Sequence, residues 1–378
     1  MSGNPFLVGS HVTGEFFTNR AREVGRILAA MRDPTRLLVL GPRRMGKSSA
    51  IAVATERARA DGILVVRADL STASGPVDVA NRLLRSLSGQ RPRERLTEIA
   101  AGLSPHVTLT FDEGTGVPRL AFGLSRRSGD AESQRRSLDD VVERLAAEDK
   151  ERVAVVLDEF QAIRRFGGEP MEWHLRDLIQ RHGQISFVCA GSELSLIHEM
   201  LGHKRAFFRA FELLHVGPMD SDHFSRWVDD RMTGAGVRAS GIGALIIDRA
   251  GPRTQDILQV ARHVRSLGLV GGEAHAEDVE KALLDVVREE DPVIRAMWRG
   301  LTAHQQNVLR AVASEVDQLF ASATRLRFGL PTSSSVAGAV DALEERGLLV
   351  RQGGNIVFDS PFVRLWVERE ALADVPPG

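Results

Sequence analysis

Lys47 and Ser48 close the run Gly41-Pro42-Arg43-Arg44-Met45-Gly46-Lys47-Ser48, which fits the spacing G-x-x-x-x-G-K-[ST]. A loop bounded by glycines can turn its backbone N–H groups inward on anionic oxygens. An ammonium and a hydroxyl directly after it suit a polyphosphate and its counter-ion. Lys47 would take the β- and γ-phosphates of ATP, and the Ser48 hydroxyl would hold Mg²⁺. Gly41, Pro42, Arg43, Arg44, Met45, Gly46, Lys47, Ser48 and Ser49 are the candidate residues for binding ATP or ADP. A second pair of groups complements them. Arg152-Val153-Ala154-Val155-Val156-Leu157 is apolar after its first residue and ends in Asp158-Glu159-Phe160-Gln161. Asp158 would hold Mg²⁺ through water, and Glu159 would polarise the water that attacks the γ-phosphate.

These groups need elements that bring them together. Leu37-Leu38-Val39-Leu40 is a short buried-strand pattern, and Ser49-Ala50-Ile51-Ala52-Val53-Ala54 has good helix-forming character. Strand, loop and helix N-terminus together make a phosphate cradle. Asp158 and Glu159 must leave the C-terminal end of their strand, because open α/β sheets bind ligands there. Strand candidates at 36–41, 62–68, 152–158, 185–190 and 211–216 alternate with helical patterns. That alternation predicts an α/β fold with a parallel sheet and helices on both faces.

Length and composition narrow the class. The 378 residues predict two or three domains with real cores, and the formal net charge is −1. The single Cys, Cys189, lies in an apolar run, so no disulfide forms within one chain and a reducing compartment is expected. No apolar run approaches a membrane span and the N-terminus lacks a basic-then-apolar signal. A cytoplasmic protein without a membrane partner is expected. Of 49 basic residues only Lys47, Lys150, Lys204 and Lys281 are Lys. A lysine retained in the glycine loop of so arginine-rich a chain fits a chemical requirement there.

Three domains are expected: a P-loop core at 1–218 carrying an insertion at 89–136, a helical lid at 219–298, and a winged helix-turn-helix at 299–378. Within the insertion, the β-prone runs 106–111 and 117–122 flank Asp112-Glu113-Gly114-Thr115-Gly116 and read as a hairpin. Ser137-Leu138-Asp139-Asp140 reads as the cap of the helix that leads into the acidic strand. Asp291-Pro292 and Arg299-Gly300 are the boundary candidates before the last domain. That domain shows helices at 303–315, 318–327 and 332–346, the last capped by Thr332 or Ser333 and ended by Gly347. Leu348-Leu349-Val350, the turn Gln352-Gly353-Gly354-Asn355 and Ile356-Val357-Phe358 make a two-stranded wing.

With these elements in order, the chain resembles the archaeal-type ATPases of the STAND/AAA+ group, which carry a C-terminal winged helix. Asn4-Pro5-Phe6 with Gly9, the segment from Phe17 to Glu23, GPRRMGKS, LDEFQ, AGSELSLI, AFFRAFELLHVGPM, AGPRTQDILQ and DSPFVRLWVER carry the resemblance, which covers essentially the whole chain. It implies that Ser192 is the sensor-1 residue that orients the attacking water, the alternative being an ordinary strand-end Ser. It implies that Arg253 stands at the sensor-2 position. It offers Arg209, with Arg205 as rival, as an arginine finger reaching a neighbour's γ-phosphate; the alternative for each is a surface Arg. Phe6 and Val8, with Gly9, match the segment that packs near the adenine, against simple core packing. The resemblance thus implies a Mg-dependent ATPase switch coupled to a partner through its winged helix, by self-association or contact with another protein. The alternatives are an ATP-responsive DNA-binding regulator and a P-loop protein that binds without turnover. From Gly300 onward seven Arg and no Lys stand against nine Asp and Glu, a balance of −2, which is weak electrostatics for a duplex.

Overall fold

The computed structural model describes residues 4–9, 11–88, 90–91, 107–112, 114, 118–122, 131–147, 152–316, 318–352 and 354–372. The strands are β1 Arg36–Leu40, β2 Leu64–Asp69, β3 Val107–Phe111, β4 Pro118–Phe122, β5 Val153–Asp158, β6 Ser186–Gly191, β7 Glu212–His215, β8 Leu349–Gln352 and β9 Asn355–Phe358. The five sheet strands expected from the apolar runs form one sheet in the order β2-β5-β6-β1-β7, parallel throughout. The period of two along each strand sorts the core into two layers. Leu38 and Leu40 of β1 pack with Val66, Val155 and Phe187 on one face, while Leu37 and Val39 pack with Val65, Val156 and Val188 on the other. Both faces are covered, which is why these runs read as continuously apolar rather than alternating.

The first layer is closed by α3 Pro76–Ser88, α4 Ala131–Ala146, α5 Glu169–Arg181 and α6 Leu194–Met200, and the second by α1 Ala21–Arg32 and α2 Lys47–Ala60. The expected hairpin is present as the antiparallel pair β3–β4. The rest of the expected insertion, apart from 90–91, 112, 114 and 131–136, lies outside the described residues. Ser137 does not cap a helix. It lies inside α4 and is buried, because Ala131–Arg136 adds helix-forming residues ahead of the apolar stripe Leu138, Val141, Val142 and Leu145.

The chain divides into two compact units, residues 9–218 and residues 219–378 with the N-terminal residues up to Val8. The second unit contains α7 Ser221–Gly234, α8 Ile242–Ala250, α9 Thr254–Gly271 and α10 Ala276–Arg299. Its winged helix adds α11 Ala303–Ala313, α12 Ser322–Arg327 and α13 Ser333–Glu345, the β8–β9 wing and α14 Pro361–Trp366. The Thr332 hydroxyl accepts from the Ser335 amide, so Thr332 is the cap of α13. The helix expected from Gln318 begins only at Ser322. α10 runs through Asp291-Pro292 without a break, held on both sides by the buried residues Val286, Val287 and Ile294. Phe362 and Trp366 are buried within the second unit, with Val286, Val287 and Ile294 in one apolar cluster.

Trp366 joins these parts: its ring lies 5.6 Å from that of Trp298 and its Nε1 donates to Asp291 at 2.7 Å. Trp366→Ala should cost about 3–5 kcal/mol in chemical denaturation. A loss below about 1 kcal/mol would show that the winged helix does not lean on this cluster.

Candidate functional site

The strand order alone places the chemistry. β6 lies between β1 and β5, so the glycine loop after β1, Ser192 after β6 and the acids of β5 emerge side by side at the C-terminal edge of the sheet. The loop is pressed against its surroundings. A Cβ on Gly41 would stand 2.2 Å from the Val216 carbonyl oxygen, so only glycine fits there. Gly46, with φ 87°, starts α2 in the left-handed region that glycine enters freely. Arg44 (φ 67°) and Glu159 (φ 51°) occupy that region without being glycine, a local cost of about 1–3 kcal/mol each that the fold must hold in place.

Lys47 is almost wholly buried, and its Nζ donates to the carbonyls of Gly41 and Pro42 at 2.7 Å each. Burial pushes its ammonium down to about 8, against the pull of Glu159 and Asp158 and with the push of Arg43. Burial also raises the Asp158 carboxyl, opposed by the Arg67 guanidinium and by a hydrogen bond from Ser48. Ser48 and Asp158 therefore stand in contact, two hard oxygen donors of the kind a divalent cation takes. Glu159 Oε2 accepts from Ser192 Oγ at 2.7 Å and from Gln161 Nε2 at 2.6 Å. Arg43 reaches across with Nε 3.4 Å from Ser192 Oγ and Nη2 2.9 Å from Glu193. Arg43, Ser48, Arg67, Asp158, Glu159 and Gln161 line one open cleft of about 540 Å³. It is roomy enough for a nucleotide-sized ligand.

The structure thus brings together Lys47, Ser48, Asp158, Glu159, Ser192 and Arg43. Met45 serves packing and its carbonyl accepts from Arg20, while the Ser49 hydroxyl accepts from the Val12 amide at 3.2 Å. Arg205 is committed elsewhere. It pairs with Glu172, which is fully buried and also pairs with Arg164. Arg209 is exposed in a left-handed turn, its guanidinium 5.4 Å from the Phe208 ring. The remaining candidates belong to the second unit. Phe6 is fully buried there, edge-on to Trp227 at 6.1 Å, with Val8 packed on the same cluster. Arg253 is buried and its guanidinium is paired with Asp359, the residue after β9.

Three contributors were missed in the sequence. Arg20 is buried and binds the Met45 carbonyl at 2.9 Å, the Gly217 carbonyl at 2.6 Å and Glu23 at 3.1 Å, bracing the glycine loop from beneath. Arg67 lies 3.9 Å from Asp158. Gln161 holds Glu159. An Arg inside the apolar run 62–68 and an amide two residues after the acid were the available signals.

A sequence profile described as a probable winged helix domain matches residues 293–369. Among curated proteins no relative matches the chain. The fold is similar to that of a Walker-type ATPase of Pyrococcus abyssi, with a TM-score of 0.64 at 16% identity over 96% of this chain and 99% of that one. It is also similar to the Orc1 protein of Aeropyrum pernix solved in complex with DNA, with a TM-score of 0.51 at 17% identity, covering 95% and 94%. For the ADP form of the Orc2 protein of the same organism the TM-score is 0.52 at 15% identity, covering 94% and 93%. At these identities the likeness establishes the fold, a P-loop ATPase core with a C-terminal winged helix, in agreement with the sequence resemblance. Among the described residues no helix is long and apolar enough to cross a membrane.

The two rival arginines separate by stability. Arg205→Ala leaves the Glu172 charge buried with one cation fewer and should cost about 3–5 kcal/mol, whereas Arg209→Ala should stay within about 0.5 kcal/mol. Thermal melts of the two variants check this; equal midpoints would contradict the division of roles.

Proposed function

We propose that this chain is a Mg²⁺-dependent ATPase that acts as a nucleotide-controlled switch, with Lys47 on the β- and γ-phosphates and Glu159 as the group that activates water. The observation that carries the reading is the convergence of the Lys47 ammonium, the Ser48–Asp158 pair and the Ser192–Glu159 hydrogen bond at one edge of a parallel sheet. Ser48 and Asp158 are the residues that would hold the metal; when bound, it neutralises charge on the phosphate oxygens. Glu159 would accept the proton of the attacking water, and Ser192 would keep the carboxylate turned toward it. Arg43 and Arg67 supply the fixed positive charge around the transferring group. The exposed Arg209 is the candidate for a finger acting on the nucleotide of a second copy, and Arg253 has the sensor-2 assignment from the resemblance.

For the winged helix we favour contact with protein, or regulation of the same chain, over reading of a duplex. Its cations are engaged internally: Arg351 pairs with Asp341 and Glu344, Arg364 with Glu315 and Glu368, and Arg325 donates to the Phe320 and Pro331 carbonyls. The helix α13 carries no basic residue. Leu326 is 86% exposed and Phe320 42%, apolar surface better suited to a protein. A neighbour solved on DNA keeps the duplex reading as the alternative, and the salt dependence of any DNA binding would test it.

Two results check the ATPase reading. Because burial holds the Lys47 ammonium near pKa 8 in the free protein, it is charged below that pH and loses its proton above it. Bound triphosphate favours the charged form, so ATP binding must draw in a proton when the pH exceeds about 8. Affinity should be flat from pH 7 to 8 and fall up to about tenfold per unit above it. Calorimetric titration in buffers of different ionisation enthalpy reads both effects, and a pH-independent affinity up to pH 9.5 would contradict the role of Lys47. Glu159→Gln should retain ATP affinity within about threefold and lower turnover by about 10²-fold or more. Wild-type turnover in that variant would remove Glu159 from the chemistry.

A further inference from the structure

We propose that Gln161 is a positioning residue for the water-activating carboxylate of Glu159, fixing which of its two oxygens receives the proton. This rests on the ATPase reading above. Gln161 is 3% exposed, two residues beyond Glu159 in the 3₁₀ turn Phe160–Phe166. Its Nε2 donates to Glu159 Oε2 at 2.6 Å, and Ser192 Oγ donates to the same oxygen at 2.7 Å. Among the described residues no donor is placed on Glu159 Oε1.

The two donors have different powers. The terminal torsion of a Glu side chain is broad, so a single contact leaves the carboxylate free to rock. A hydroxyl hydrogen rotates to suit its acceptor and holds distance better than direction. The Gln161 amide is planar and buried, so its N–H direction is set by the fold. Together the two contacts come from the turn after β5 and the end of β6, and they fix the carboxylate plane. Oε2 is then satisfied, and Oε1 keeps its lone pairs for the proton of water.

The amide is kept at a cost. Gln161 Oε1 is buried without a hydrogen-bond partner among the described residues. Turning the amide over would set that oxygen against a carboxylate, so the orientation with Nε2 on Glu159 is the one the charges allow. An unpaired buried carbonyl is destabilising, and an apolar side chain of similar length would avoid it. Packing therefore gives no reason for an amide here; the bond to Glu159 does.

The test compares wild-type protein with Gln161→Met, which keeps the volume and removes the donor. We expect kcat to fall roughly tenfold or more, the size of a lost hydrogen bond to a charged group. Affinity for a non-hydrolysable ATP analogue should stay within twofold, and the melting midpoint should hold or rise because the orphaned oxygen is gone. In a Glu159→Gln background, single-turnover measurements should show no further loss on adding Gln161→Met. Should Gln161→Met fail to fold, Gln161→Asn, which withdraws the amide by one methylene, carries the same comparison. Unchanged kcat in a wild type that hydrolyses ATP, or an equal loss in the Glu159→Gln background, overturns the positioning role. A wild type without any turnover refutes the ATPase reading itself, and the positioning role falls with it.

Discussion

Lys47 is a cation held almost entirely out of water at the first residue of α2, and the rest of the site answers to that placement. A buried ammonium is costly unless acceptors and opposite charges surround it. The loop carbonyls of Gly41 and Pro42 supply the first, and Asp158 with Glu159 supplies the second. Those acids are more than a hundred residues away in the chain, and only a strand order that sets β6 between β1 and β5 brings them within reach. The same order inserts Ser192 between loop and acids.

Guanidinium groups do the bracing around that ammonium. Arg20 takes carbonyls from both the glycine loop and Gly217 while paired with Glu23, something a single ammonium point charge could not span as well. Arg205 and Arg164 share the fully buried Glu172, and Arg253 pairs with Asp359. Arg20, Arg164, Arg205 and Arg253 are thus held in structural contacts. Arg43, Arg67 and Arg165 line the cleft, and Arg209 lies exposed on the surface.

What could be read from the sequence was what local pattern encodes. The strand–loop–helix at 36–60 and the strand ending in Asp158 and Glu159 are continuous segments with their own periodicity, and both formed as expected. The roles of Arg20 and Arg67 were not legible, because their partners Gly217 and Asp158 are set by tertiary packing and not by spacing. Arg67 meets Asp158 only because β2 pairs with β5. Ser137 misled for a related reason: a Ser before two acids is a capping signal, yet the alanine and arginine turns ahead of it extend the helix and leave it buried. Pro292 does not end α10, because burial on both sides outweighs one missing helical hydrogen bond.

The second unit follows a different logic from the first. In its winged helix Arg351 and Arg364 are paired with acids of the same domain and the balance from Gly300 onward is −2, so it presents little field toward a polyanion. Its apolar residues Phe362 and Trp366 are used to join α10, where Trp366 also ties Asp291 and meets Arg295 over its ring. Phe362 and Trp366 are spent in this way, whereas Phe320, Leu326 and Val350 of the winged helix stay exposed. α14 shares one cluster with the helices from 219 to 299, whereas Val308, Leu309, Val336 and Leu343 of the winged helix form a second. A displacement of α10 would therefore reach α14 through Phe362 and Trp366.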